Sequence, residues 1–361
     1  MQTRKRIISV SEAILESTEQ YLKKFNDCIV IGEGINDPKG IFGTTLNLSK
    51  KFGKARIIES PISENGVTGI SIGLSMNDFK VLLVHQRTEF ALLSLEQIFN
   101  NAAKSYYVSN GLYNVPIVIR MIIGRGWGQG PAHSQSLETV FSYIPGLKVL
   151  MPSSAYDAKG MLWSALEDPN PVLIIEHRWL HYVKGVVPKK PYKVNIHSPS
   201  ILTKGEDITI VANSYNITEV IICSKIMKKF GINIEIIDLR VLRPLNIKPI
   251  IKSLKKTKNL LIIETGYKKL GIGSEIISQI SETELKNSIK SISRIGLPDH
   301  PTPSTRSLAK KYYGSLKEIA DRVMKQIKVE LELKKKITNY LSVNFSQKEI
   351  DVPNADFKGP F

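Results

Sequence analysis

The chain has little cysteine and no long apolar run, and each absence narrows what it can be. Cys28 and Cys223 are the only cysteines in 361 residues, without metal-ligand spacing, which argues against a disulfide framework and a structural zinc site. A reducing, cytoplasmic compartment is expected. No apolar stretch approaches the ~20 residues that span a bilayer, so no membrane contact is expected. The basic start, Met1 to Arg6, runs into Ile7-Ile8-Ser9-Val10, too short for a signal-peptide core. Acidic residues are also scarce, with 33 Asp and Glu against 50 Lys and Arg and a net charge of +17. The lysines are spread over amphipathic stretches such as 315–336 and no nucleic-acid motif accompanies them. The excess therefore reads as a solvated surface and no nucleic acid is expected, with a polyanion partner as the lesser alternative.

What is present is an alternation of strand-like and helix-like segments. Ser9 and Glu12 have capping-box spacing and open a helix whose buried positions are Ile14, Leu15, Tyr21, Leu22 and Phe25. Apolar strands follow at Cys28–Ile31, Val81–Val84, Val115–Ile123 and Val172–Glu176, and Leu92–Val108 carries the clearest helical periodicity. Residues 186–203 contain Pro188, Pro191 and Pro199 and read as a linker. A second alternating unit spans 204–330, and 331–361 reads as the end of a last helix, expected over about 315–336, plus an irregular tail. The pattern predicts an α/β protein with two open, mostly parallel sheets flanked by helices, the first unit being 1–185.

One stretch organises the chemistry. Ser60-Pro61-Ile62-Ser63-Glu64 is a turn that opens into a helix with Gly66, Gly69 and Gly73 on one face. Three glycines there cost about 1 kcal/mol each against alanine, which points to close approach of another backbone. Glu64 is either a helix-start carboxylate favoured by the macrodipole or a catalytic one. The glycine-rich loop Gly124–Gly130 fits neither the P-loop nor the dinucleotide pattern. It reads as a closely approached backbone presenting His133, which is either a proton shuttle or an ordinary loop histidine. Arg125 and Trp127 in that loop either meet an anionic or sugar-like substrate or pack the loop. His177 and His181 lack partners for a metal site, and no nucleophile elbow accompanies Ser134 or Ser136.

Taken together, PISENGVTGISIGLSM, EQIFNNAAKSYYVSNG, PIVIR, HSQS, PGLKVLMPSSAYDAKG, LEDPNPVLIIE, DLRVLRPLN and IIETG resemble the β subunit of thiamine-diphosphate-dependent 2-oxoacid dehydrogenases, over roughly residues 5–330. These are the decarboxylating components of pyruvate and branched-chain 2-oxoacid dehydrogenase complexes, in the transketolase-like superfamily. The resemblance implies a pyrimidine-binding domain followed by a transketolase C-terminal-type domain. It implies that Glu64 hydrogen-bonds the aminopyrimidine of thiamine diphosphate and promotes its imino tautomer. It places Phe90 on the pyrimidine ring, Ile62 in the motif contacting the cofactor, and Glu33 near the active centre. His133 would orient substrate or the lipoyl acceptor and assist proton transfer. A monovalent cation is implied near Asp168 and Asn170.

The family's diphosphate and magnesium motif, Gly-Asp-Gly followed by Asn, has no counterpart here, since the chain contains no Gly-Asp-Gly. Half of the active site, including Mg2+, is therefore expected on an α subunit, in an α/β heterotetramer whose seam the glycine face would supply. A lipoyl acyltransferase is a further expected partner. His85 to Glu89 replace a more apolar, aromatic segment of pyruvate-type members, and Arg125 and Trp127 stand where many relatives have small residues. Arg87, Arg125 and Trp127 are the expected substrate pocket, and these departures imply a more polar substrate or a non-standard acceptor. A biosynthetic acyl-transferring subunit without lipoamide, or a non-catalytic paralogue, are the alternatives.

Overall fold

A computed structural model of the chain describes residues 6–125 and 128–345. Trp127 and the tail beyond 345 lie outside the described residues. The first sheet has seven strands, in the order Val241–Arg243, Lys148–Leu150, Val172–His177, Ile117–Ile123, Lys80–His85, Cys28–Gly32, Ile57–Glu59. All its pairings are parallel except that of Val241–Arg243. The central strands are buried at every position, because helices cover both faces and leave no polar alternation to display. The second sheet runs Ser291–Leu297, Asn259–Tyr267, Ile208–Ala212, Ile234–Asp238, Ser200–Thr203, parallel except for its last strand.

The two sheets share a core. One apolar cluster runs from Ile119 and Phe141 of the first unit to Leu254, Leu260 and Ile276 of the second. Val241–Arg243, although late in the sequence, completes the first sheet, so the second unit is stitched to the first by backbone as well as by packing. The expectation of two mostly parallel α/β layers holds.

Local signals held where they were strongest. Ser9 accepts from the Glu12 backbone N–H at 3.2 Å and the Glu12 carboxylate accepts from the Ser9 N–H at 2.7 Å, closing the capping box of the Val10–Lys24 helix. Such a cap contributes about 1 kcal/mol. Two helices differ from expectation. Residues 92–108 are helical but change pitch, with a 3-10 turn at Leu92–Ser94, a π turn at Gln97–Ala102 and an α turn at Ser105–Val108. The wide turn lets Ile98, Ala102 and Ala103 all face the core, while Tyr106 is exposed. The stretch expected as one helix over 315–336 is two, Leu316–Gln326 and Leu331–Asn344, because Lys328 adopts a left-handed φ of 55° between them. A short helix, Arg306–Tyr312, follows the proline turn at 298–303.

Candidate active site

The chain passes from Cys28–Gly32 outward to Ile57–Glu59 on one side and then to Lys80–His85 on the other. That reversal opens a crevice at the carboxyl ends of the strands, the usual ligand position in an open α/β sheet. Glu33 leaves the first of these strands, Gln86 and Arg87 leave the third, and Glu64 begins the helix Glu64–Met76 after the second. Glu33, Ser60, Pro61, Glu64, His85 and Phe90 line a small cleft there.

The cleft has an excess of negative charge. Burial raises the Glu33 carboxyl above its usual range, and the neighbouring carboxylates of Glu64, Glu59 and Asp37 raise it further. Glu59 is committed to structure, accepting from the Asn36 N–H at 2.9 Å and from the Gly34 N–H, so it holds the loop that carries Glu33. Among the described residues no side chain hydrogen-bonds the Glu64 carboxylate, which sits half-buried at the helix mouth. His85 bonds Thr68 Oγ1 at 3.2 Å, and burial lowers it to about 4, so the imidazole is neutral at pH 7. Glu59 was not singled out by sequence reasoning, and His85 entered it only as one end of the polar segment His85 to Glu89. Their one signal was position at a strand end.

His133 approaches from the next strand end, on the short helix Gly130–His133. Its ring meets Phe90 edge-on with centroids 5.8 Å apart. His133 Nδ1 lies 2.8 Å from Glu89 Oε1. An ionised carboxylate only accepts, so Nδ1 carries the hydrogen and Nε2 is left as the acceptor of the neutral ring. Arg87 Nη1 donates to the His133 carbonyl at 3.2 Å and to Gln129 Oε1 at 3.0 Å. Glu33, Glu64, Phe90, His133 and Arg87 are therefore brought together. Gln129 and Arg178 join them without having been anticipated, as does Glu89, noted before only within the polar segment His85 to Glu89.

Other candidates lie elsewhere. Ile62 is 79% exposed and does not line the cleft. Arg125 stacks its guanidinium over Tyr313, Trp179 and Tyr215 at 4.3, 4.8 and 5.9 Å, facing a cavity between the two units rather than the Glu64 cleft. Asp168 accepts from Lys148 Nζ at 2.7 Å on both oxygens and from the Asn170 N–H at 2.9 Å. A lysine ammonium thus already faces the carboxylate proposed to neighbour a cation. His177 stacks on Tyr215 while His181 bonds Glu176 Oε2 at 3.0 Å, so the two histidines serve separate structural contacts. On the glycine face, Gly69 lies against the Gln97 side chain, 3.4 Å from where a Cβ would stand. Gly66 and Gly73 are exposed beside Ile70, 64% exposed.

Comparison with known proteins agrees with this layout. Residues 6–182 match the transketolase pyrimidine binding domain and 199–319 match the transketolase C-terminal domain. The pyruvate dehydrogenase E1 component subunit beta of Porphyra purpurea is 36% identical over 300 residues, covering 82% of this chain and 90% of its own. The Bos taurus mitochondrial counterpart is 32% identical, covering 89% and 91%. The chain belongs to the pyruvate dehydrogenase E1 β-subunit family. Members of that family are the thiamine-dependent, decarboxylating oxidoreductase components of 2-oxoacid dehydrogenases. A structure described as a split gene transketolase, inactive beta4 tetramer, superposes with a TM-score of 0.71 at 19% identity, covering 89% of this chain and 99% of that one, which supports the fold.

Proposed function

We propose that this E1 β-type chain oxidatively decarboxylates a 2-oxoacid together with an α subunit, on a thiamine diphosphate shared between them. The observation that carries this is the Glu64 carboxylate, held at a helix mouth in the crevice of the parallel sheet, with Glu33 and Phe90 beside it. An unneutralised carboxylate pair next to an aromatic ring suits a protonatable, flat heterocycle. When bound, thiamine diphosphate supplies the ylid and the electron sink for decarboxylation. Glu64 would hold a ring nitrogen and its proton, and Phe90 would pack on the ring face. Glu33, its carboxyl raised by burial and by Glu64, would share a proton locally. His133, with Nδ1 fixed by Glu89, offers Nε2 for proton transfer at the substrate.

The diphosphate and Mg2+ would be held by the α subunit, because this sequence contains no Gly-Asp-Gly. The exposed Gly66, Gly73 and Ile70 would lie in the seam of an α/β heterotetramer. Lipoamide on a lipoyl acyltransferase is the acceptor expected for the family, and the polar lining around Arg87 leaves room for another. Co-purification with an α-like chain carrying Gly-Asp-Gly, followed by CO2 release from a panel of 2-oxoacids, tests the proposal. Cofactor-dependent release by the pair and none by either chain alone is expected. Activity from this chain alone would overturn the half-site reading.

A further inference from the structure

We infer that Ser304 and Tyr313 of the second unit are positioning residues for His133, acting through the glycine-rich loop that they seat. The inference rests on the proposed function and gives the second unit a part in it. Glu33, Glu64 and Phe90 stand at strand ends and on helices of the first unit. His133 is placed differently. Its side chain is 43% exposed on a helix of four residues, Gly130–His133. A single turn does not hold its own conformation in water. The position of His133 is therefore set by what fixes the chain on either side of it.

Upstream, the second unit meets the loop at two points. The Arg125 guanidinium lies 4.3 Å from the centroid of the Tyr313 ring, with Trp179 of the first unit at 4.8 Å. Tyr313 is buried, so its ring has a fixed place. Further along, Ser304 lies across the loop. Gly128 and Gly130 both have a φ of 67°, in the left-handed region that favours glycine. A Cβ on Gly130 would stand 2.6 Å from Ser304 Oγ, and one on Gly128 would stand 3.3 Å from the Ser304 carbonyl oxygen. The glycines mark where the second unit comes against the loop. Gly130 opens the turn that ends at His133.

Ser304 and Tyr313 belong to one rigid piece. Thr302 Oγ1 donates to Tyr312 Oη at 3.1 Å, and Tyr312 Oη donates to the His300 carbonyl at 3.2 Å. These bonds tie the proline turn to the helix Arg306–Tyr312, which Tyr313 directly follows. Downstream of His133, Ser136 Oγ donates to Glu138 Oε2 at 2.7 Å, and Thr265 Oγ1 of the second unit donates to Glu138 Oε1 at 3.0 Å. Glu138 is buried. The chain is thus fastened to the second unit on both sides of His133, in the one placement where Nδ1 meets Glu89 at 2.8 Å. A misplacement of about 1 Å can cost about 10²-fold in rate.

The test reads the tautomer of His133 by 15N NMR in the full chain, histidine-labelled and without thiamine diphosphate, the signal being the one missing from His133→Gln. The unmodified chain should carry the hydrogen on Nδ1. Tyr313→Ala should shift the signal toward the mixture of a free imidazole, and Tyr313→Phe, which keeps the ring, should restore it. Gly130→Ala sets a methyl against Ser304 and should shift the signal likewise, with partial recovery on adding Ser304→Gly. That pair decides the matter if urea unfolding shows Tyr313→Ala to be unfolded. With the proposed α partner, Tyr313→Ala should lower kcat about tenfold or more while KM for the 2-oxoacid moves by less than about twofold. An unshifted signal in folded Tyr313→Ala would overturn the inference, as would a Gly130→Ala shift that Ser304→Gly leaves untouched. The predicted shifts in a chain that releases no CO2 with any α chain would sink only the proposed function.

Discussion

Two buried arginines, Arg120 on a central strand and Arg178 just past the end of its neighbour, meet different surroundings. Arg120, inside Ile117–Ile123, forms a two-pronged pair with Glu176, Nε to Oε1 at 2.5 Å and a terminal nitrogen to Oε2 at 2.8 Å. His181 adds a third contact to the same carboxylate. Arg178, two residues beyond Glu176 and just outside the sheet, shares a neutral amide oxygen with a second arginine. In the first case the charge is matched inside the protein and the site is closed. In the second, two guanidiniums share a neutral acceptor at the border of a cleft, within the field of Glu89. Burial alone does not distinguish the two settings. The partner does.

The largest expected effect comes from breaking the closed site. Arg120→Leu leaves Glu176 buried and uncompensated, and should cost about 3–5 kcal/mol in urea unfolding. A pH series sharpens the same point. Burial alone would raise Glu176, but Arg120 and His181 outweigh it and hold the carboxyl at about 2. A depressed carboxyl contributes stability above its unfolded value of about 4.3. That contribution should drain away as pH falls from about 4.3 toward about 2, and should be absent in Arg120→Leu.

Gly124→Ala is expected to cost about 1–3 kcal/mol, because the new methyl meets the Arg178 stem, read as a lowered urea midpoint. The smallest effect is a gain. Gln129→Glu should stabilise the chain by about 1 kcal/mol by making the two contacts to Arg87 and Arg178 charge-assisted, measurable as a raised urea midpoint. A lowered midpoint would contradict this.

Much of the fold was legible because its signals are local. Strands such as Cys28–Gly32 and Val172–His177 are buried at every residue and read as uninterrupted apolar runs. The Ser9–Glu12 box likewise fixed a helix start from four residues. The break at Lys328 was not legible, since a lysine with positive φ carries no compositional mark. At the site, Glu64 and His133 stood out as polar residues in turn-rich motifs, and Glu33 entered through the family resemblance. Glu89 and Gln129 did not, because their roles arise from pairing across 44 and 42 residues of sequence. Arg125 was left open between substrate contact and loop packing for the same reason. Its loop was recognisable, but the rings of Trp179, Tyr215 and Tyr313 that turn it toward the second unit are distant in sequence.

Glu64 remains the centre of the account, and one measurement addresses it directly. In the chain reconstituted with the proposed α partner, thiamine-diphosphate-dependent CO2 release should fall by about 10²-fold or more in Glu64→Gln, the scale of a lost acid–base group. Unfolding in urea should be nearly unchanged, because the carboxylate is hydrogen-bonded to no side chain among the described residues. Equal rates for Glu64→Gln and the unmodified chain would contradict the assignment.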